Sequence, residues 1–347
     1  MASPYPEFMI NGRSVGSEHP PFVIAEIGIN HEGDETKALR MIDDAAAAGC
    51  ECVKFQTHVV EDEMIENDVV PGNADEPIYA MMQRCALDAE TEARLKMHTE
   101  SKGMIFLSTP FSRAAARRLH DLDVPAFKIG SGECNNYPLI EFICSLGKPV
   151  ILSTGMNDLN MVRKSVDLIR AAGVPFALLH CTSVYPTPYE QVRLGAMTEL
   201  AGEFPDAVIG LSDHSLSIHP CLGAVALGAS ILERHFTSDK TWPGPDIEVS
   251  MDPAELREMV VGSRAIHAAR GGNKRILDEE MPTIRFAYAS VVALEAIGSC
   301  DELTQDNIWV KRPGTGEILA KNYNEILGRR AVRPIDKDAQ IQWSDLA

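Results

Sequence analysis

Between Phe22 and Ala269 short apolar runs alternate, eight times over, with longer segments of helical character. The runs are Phe22–Gly28, Cys52–Gln56, Met104–Ser108, Ala126–Gly130, Val150–Ser153, Phe176–His180, Val208–Leu211 and Ser230–Leu232. Each is followed by a candidate helix. The first runs from Asp34, a fitting N-cap, to Gly49, a fitting C′ residue, with Leu39, Ile42, Ala45 and Ala46 on one face. The others begin near Asp88, cover Ser112–Leu122 and Tyr137–Leu146, run from an Asn157 cap to Gly173, and lie near Arg193–Glu203, Cys221–Ala229 and Asp252–Ala269. Eight strand–helix repeats over about 250 residues have the rhythm and size of a closed α/β barrel, the (β/α)8 or TIM fold. An open doubly wound sheet fits less well, because the count is eight and no Gly-rich dinucleotide fingerprint follows the first strand.

Three stretches fall outside the rhythm. Phe8–Ile10 and Ser14–Val15 flank an Asn11-Gly12 turn and predict a hairpin. A long insertion, Thr57–Ala86, separates the second strand from its helix. Beyond residue 270 the sequence turns polar, so 1–270 is read as the barrel and 271–284 as a linker. The runs SVVAL (290–294), NIWVK (307–311) and RAVRPI (330–335) predict a small, mostly β module over 285–347, near the lower size limit for an independent core.

A barrel of this kind carries its chemistry at the carboxyl ends of its strands. There the chain places Ser and Thr repeatedly: FQT at 55–57, FLST at 106–109, KIGS at 128–131, ILST at 151–154 and GLSD at 210–213. Clustered hydroxyls suit an oxyanion ligand. The seventh and eighth strands each end in a histidine, His214 and His235. Neighbouring parallel strands lie about 4.8 Å apart, so the two rings can converge on one divalent cation. Glu26 is the lone acid within an apolar strand, where burial raises a carboxyl pKa.

A net charge of −18 argues against nucleic acid and anionic membranes as partners. It also demands local positive groups if the ligand is an anion. No apolar run reaches the roughly 18 residues of a membrane span, and the first 16 residues do not read as a secretory signal. The eight cysteines are scattered, with no CxxC pair, as in a reduced cytoplasmic protein.

The ordered motifs FVIAEIGINHEGD, KFQT, PGNAD, SKGMIFLSTPFSRAAA, KIGSGECNNYPLI, GKPVILSTGM, HCTSVYPTPYEQVRLGAM, GLSDHS, ILERHFT, GPDI and VKRPGTG resemble the sialic acid (N-acetylneuraminate) synthase family nearly end to end. The last lies in a module similar to that family's antifreeze-like SAF domain. The resemblance implies condensation of phosphoenolpyruvate with an N-acyl hexosamine such as N-acetylmannosamine, helped by a divalent metal, most often Mn²⁺, with Mg²⁺ and Co²⁺ also compatible. It implies that Lys54 and Lys128 hold the anion with Asn73, Thr109, Ser131, Ser153 and Ser212. Glu26 matches the proton-transfer residue, and Gln56, Glu133, Tyr185 and Asp246 match positions that line the sugar. His214 and His235 match the metal ligands. Arg312 matches an arginine that reaches the sugar in the partner subunit's site of a domain-swapped homodimer. Ser183, in CTSVYPTP, stands where the closest bacterial pattern has Asn, which opens the sugar's identity to N-acetylmannosamine, its 6-phosphate or a 2,4-diacetamido hexose. The alternatives in the last two cases are a 9-phosphate product or legionaminic or pseudaminic acid. Two further alternatives are a Schiff-base aldolase using Lys128 and a catalytically silent carbohydrate-binding protein.

Overall fold

Strand alternation explains most of the architecture. The computed structural model describes residues 5–347; Met1–Pro4, part of the stretch read for a secretory signal, lie outside the described residues. The chain divides into two units, Met1–Gly271 and Gly272–Ala347.

The first unit is built on eight parallel strands: β1 (Phe22–Gly28), β2 (Cys52–Thr57), β3 (Ile105–Pro110), β4 (Phe127–Ile129), β5 (Val150–Ser153), β6 (Phe176–Cys181), β7 (Val208–Asp213) and β8 (Ile231–His235). They pair in the order β3-β2-β1-β8-β7-β6-β5-β4, and β3 packs beside β4 at the seam to make a nearly closed barrel. The outer helices are α1 (Glu35–Ala47), α2 (Ala89–Ser101), α3 (Arg113–Asp121), α4 (Tyr137–Ser145), α5 (Leu159–Ala172), α6 (Leu194–Glu203), α7 (His219–Ala226) and α8 (Pro253–Ala269). Their starts are set by short polar caps that satisfy otherwise orphaned N–H groups. Asp34 accepts from Thr36 and Lys37, Ser112 from Ala115, and Asp252 forms a capping box with Glu255. The cap of α5 is Asp158 rather than the expected Asn157; it is the Asp158 carboxylate that accepts from Met161 N. Asn157 instead donates to Ser131 O and Gly155 O.

Two layers of side chains fill the barrel. Residues two apart on a strand share a face. In the lower layer Phe22, Ile24, Cys52, Ile105, Leu107, Ile151, Leu179 and Ile231 form one buried apolar cluster. The hairpin Glu7–Ile10/Arg13–Gly16 adds Phe8, Ile10 and Val15 to it and plugs the end where the strands begin. The intervening residues, such as Val23, Val53, Phe106 and Leu232, point outward and pack under the helices. One more step along the inward face carries each strand from hydrocarbon to chemistry: Ile24 to Glu26, Cys52 to Lys54, Leu107 to Thr109, Ile151 to Ser153, Ile231 to Glu233.

The insertion after β2 is not unstructured. It holds a short helix, Val60–Glu63, and a longer one, Ile78–Cys85, joined over a small core of Ile29, Val60, Met81, Met82 and Cys85. All eight cysteines are free thiols, and no helix among the described residues is long and apolar enough to cross a membrane.

In the second unit Ser290–Ala293 (β9) pairs antiparallel with Ile308–Lys311 (β10) around a core of Val291, Ile297, Leu303, Ile308, Ile318, Ile326 and Ile341. The expected run 330–335 is not a strand. Arg330, Ala331 and Ile335 each make a single bridge to a different partner, Glu302, Leu346 and Ile297, and Pro334 lacks a donor with which to extend a ladder. The stretch read as a linker, 271–284, contains a 3-10 turn at Asp278–Glu280 and the start of a helix, Met281–Ala287.

Candidate active site

The upper layer opens into a cavity of about 480 Å³ at the carboxyl ends of the strands. Thirteen of the sixteen expected site residues line it: Glu26, Lys54, Gln56, Thr109, Lys128, Ser131, Glu133, Ser153, Ser183, Tyr185, Ser212, His214 and His235. Asn73 and Asp246 stand just beside it. Asn73 Nδ2 donates to Pro245 O at 3.2 Å and lies 3.4 Å from Asp246 Oδ1. Arg312 belongs to the second unit, exposed in the turn that follows β10.

Two lysines form the floor. An isolated strand-end lysine usually runs its stem to solvent, but Lys54 is 3% and Lys128 2% exposed. Lys54 Nζ donates to Thr109 Oγ1 at 2.9 Å and meets Glu26 Oε2 at 2.7 Å. Lys128 Nζ donates to Ser153 Oγ at 2.7 Å. Between the ammonium groups sits Glu233, 3.9 Å from Lys54 Nζ and 3.5 Å from Lys128 Nζ, with Ser212 Oγ donating to its Oε1 at 3.0 Å. Three of the hydroxyls expected to face an oxyanion therefore already hold these charged groups in place. Thr109 and Ser153 accept from the lysines and keep their own protons to donate.

The two carboxylates of this floor are pushed in opposite directions. Burial drives the Glu26 pKa up, and Lys54 offsets only part of it. Burial also opposes the charge on Glu233, but Lys128 and Lys54 outweigh it and hold the pKa down. Paired groups whose environments separate them in this way divide labour, one exchanging a proton and the other staying ionised. Burial weakens the charge on Lys54 too, yet Glu233 and Glu26 keep its pKa above the usual lysine value; Lys128, buried and near Lys54, falls below it. Higher on the wall Glu133, with Oε2 buried and unpartnered, is pushed up to about 7 by burial.

The histidine pair faces the same space. The ring centroids of His214 and His235 are 5.4 Å apart, and Tyr185 lies 4.2 Å from the first. His214 Nδ1 donates to the Thr182 carbonyl at 3.1 Å, so Nε2 is the nitrogen not engaged by that bond. Burial opposes a charge on this ring, but Cys181 and the Thr182 carbonyl outweigh it and raise its pKa. His235 Nδ1 is buried without a hydrogen-bond partner, 3.8 Å from Asp246 Oδ2. Burial lowers the His235 pKa to about 4, so the ring is neutral near pH 7, the form that ligates a cation. Among the described residues no group of three or more His, Cys, Asp or Glu is gathered at ligand spacing. The donor set thus fits a cation held by two imidazoles and completed by water or substrate, an open site of catalytic rather than structural kind.

Two site residues escaped the sequence reading. Glu233 had the same signal as Glu26, an acid in a strand, but its neighbour Arg234 masked it. Arg234 also lines the cavity; it is 3% exposed and pairs with Asp213 at 2.6 Å while donating to Ser215 O and Val249 O. Because Asp213 precedes His214 and Arg234 precedes His235, this buried pair fixes the spacing of the two imidazoles.

With this geometry in hand, the likenesses to known proteins fall into place. A model of the NeuB family matches residues 41–275, and a SAF domain model matches 288–347. The human N-acetylneuraminate-9-phosphate synthase is 35% identical over 336 residues, covering 95% of this chain and 94% of that protein. The N,N'-diacetyllegionaminic acid synthase of Campylobacter jejuni is 36% identical, covering 92% and 98%. The crystal structure of N-acetylneuraminic acid synthetase from Leptospira borgpetersenii, in complex with citrate, aligns with a TM-score of 0.74 at 33% identity, covering 81% of this chain and 95% of that one. The chain is a member of the NeuB family of sialic-acid-type synthases and carries a C-terminal SAF domain.

Proposed function

We propose that this protein is an N-acetylneuraminate synthase that condenses phosphoenolpyruvate with N-acetylmannosamine and water, giving N-acetylneuraminate and phosphate. The observation that carries the reading is the floor of the cavity, where two buried lysines, a held-down carboxylate and a raised one lie below a pair of imidazoles. The ammonium groups of Lys54 and Lys128 and the hydroxyl protons of Thr109 and Ser153 suit the phosphate and carboxylate of phosphoenolpyruvate. Its methylene carbon forms the new bond to the aldehyde carbon of the open-chain sugar. The resulting cationic centre at C2 takes up water, and the tetrahedral adduct expels phosphate. Glu26 is the group placed to accept and return the proton of that water, since its raised pKa brings it nearer the working pH. Glu233, kept ionised, stabilises positive charge beside it. A divalent cation on His214 and His235, Mn²⁺ before Mg²⁺ or Co²⁺, supplies Lewis acidity toward the sugar aldehyde when bound.

Two further parts belong to the proposal. Arg312, exposed on the SAF domain, completes the sugar site of the other subunit in a homodimer; inactive Arg312→Ala and His235→Ala subunits that regain turnover when mixed support this, and no recovery in proven mixed dimers excludes it. The site of action is the cytoplasm, in keeping with eight free thiols. The deciding experiment is mass spectrometry of products formed from phosphoenolpyruvate with N-acetylmannosamine, its 6-phosphate or a 2,4-diacetamido-6-deoxy hexose. A preference of more than a hundredfold for either of the last two replaces the sugar assignment with a 9-phosphate or legionaminic-type product. Turnover indifferent to chelators, with borohydride trapping at Lys128, replaces the reaction itself with Schiff-base aldol chemistry.

A further inference from the structure

His58 stands just beyond β2, two residues after Gln56, and so on the same side of the chain. It is 4% exposed and lies flat on Phe111, with ring centroids 4.7 Å apart and planes 12° from parallel. Its Nδ1 is 2.7 Å from Glu63 Oε2, at the end of the short insertion helix. Its Nε2 is 3.3 Å from Gln56 Oε1. Gln56 in turn donates from Nε2 to Glu26 Oε1 at 3.1 Å. The result is one continuous chain, Glu63–His58–Gln56–Glu26, reaching from the insertion to the floor of the cavity. The insertion is itself anchored, since Asp62 accepts from Ala114 N at the start of α3.

The partners at the two ends, a carboxylate at each, orient the links as they stand in the structure. A carboxylate only accepts, so His58 Nδ1 donates to Glu63. The amide nitrogen of Gln56 is committed to the Glu26 carboxylate, which leaves its oxygen toward His58, and Nε2 donates as well. If His58 were absent, the amide would be held from the Glu26 side alone, and a half-turn would set its oxygen against Glu26. We infer that His58, backed by Glu63, is a positioning residue that locks the Gln56 amide with its NH₂ toward Glu26 and the cavity. His58 and Glu63, which do not line the cavity, act through Gln56. The kinetic consequence rests on the synthase reading above; the structural one does not.

The test uses the full-length protein in three forms. His58→Phe keeps a ring on Phe111 and removes both nitrogens. Glu63→Gln keeps His58 and removes the anion behind it. His58→Gln restores a donor toward Gln56 Oε1. The chain has six glutamines, so side-chain amide resonances under selective ¹⁵N-glutamine labelling are few, and that of Gln56 is assigned by its loss in Gln56→Glu. In the wild type this NH₂ exchanges slowly. In His58→Phe and Glu63→Gln the Gln56 resonance moves toward free-amide values and exchanges faster, and His58→Gln recovers part of the difference. In the kinetic arm, kcat/KM for the sugar falls about three- to tenfold, the size of one hydrogen bond, while KM for phosphoenolpyruvate stays put. An unchanged Gln56 resonance in both His58→Phe and Glu63→Gln overturns the inference, whatever happens to turnover. Absence of synthase turnover in the wild type, with the resonance shifts present, overturns the proposed function and leaves the positioning role standing.

Discussion

The lower and upper layers of the barrel interior are made by the same eight strands on the same inward face, yet they behave as different materials. Below, Ile24, Leu107 and Leu179 are packed hydrocarbon with nothing to titrate. Above, and two residues further along, Glu26, Lys54, Lys128 and Glu233 are equally buried and ionisable. Burying charges this way stabilises a fold poorly, because desolvation offsets most of their attraction. The difference teaches that stability and chemistry are separated along the barrel axis, so each can be damaged without the other.

The largest effect expected of any change in the upper layer is at the histidine pair. His214→Ala and His235→Ala each abolish turnover, as does EDTA in the wild type with Mn²⁺ restoring it, while thermal melting of the variants stays close to that of the parent. Full activity in verified metal-free protein would remove the cation from the site. Next comes Glu26→Gln, which lowers kcat about 10²–10⁴-fold and leaves phosphoenolpyruvate binding intact by calorimetry. The lower layer should respond in reverse. Ile24→Ala or Leu179→Ala destabilises the barrel by about 2–5 kcal/mol in denaturant unfolding, with kcat of the folded enzyme near normal; a kcat loss matching that of Glu26→Gln would erase the separation.

Two smaller effects sharpen it. The Glu133 pKa is about 7 in the folded chain against an ordinary 4.5, so the native state binds the extra proton between those values. Stability must then fall as pH rises through that window. Glu133→Gln should melt above the wild type at pH 8, with the gap closing below pH 5; a gap that widens toward acid pH contradicts the sign. The smallest effect is at Ser183 on the cavity wall. Ser183→Asn changes kcat/KM for N-acetylmannosamine upward by about three- to tenfold and leaves the KM for phosphoenolpyruvate alone.

Much of this separation was legible in the sequence, because a period of two in eight apolar runs states which residues share a face. Glu26 and the paired histidines stood out at strand ends on that basis, whereas Lys54 and Lys128 were singled out through the resemblance of their motifs. What failed was anything decided across strands or by loops. Glu233 and Arg234 are adjacent opposite charges in the sequence, and only the barrel sends the two side chains to different neighbours. His58 and Glu63 lay inside an insertion whose two helices carry too few residues to show a period. At α5 the choice between adjacent caps, Asn157 and Asp158, turned on a contact of Asn157 with Ser131, 26 residues away.

The hairpin that seals the lower end has a consequence for traffic. Phe8, Ile10 and Val15 make the barrel a blind well with one mouth. The lysines lie next to the sealed floor, whereas Tyr185 stands at the rim, 37% exposed. Whatever the lysines hold must descend before anything occupies the rim, and must wait there until the rim is clear. A sugar arriving first would be a stopper. Excess sugar should therefore slow the uptake of phosphoenolpyruvate, and isotope trapping should find the anion committed to turnover before the sugar is.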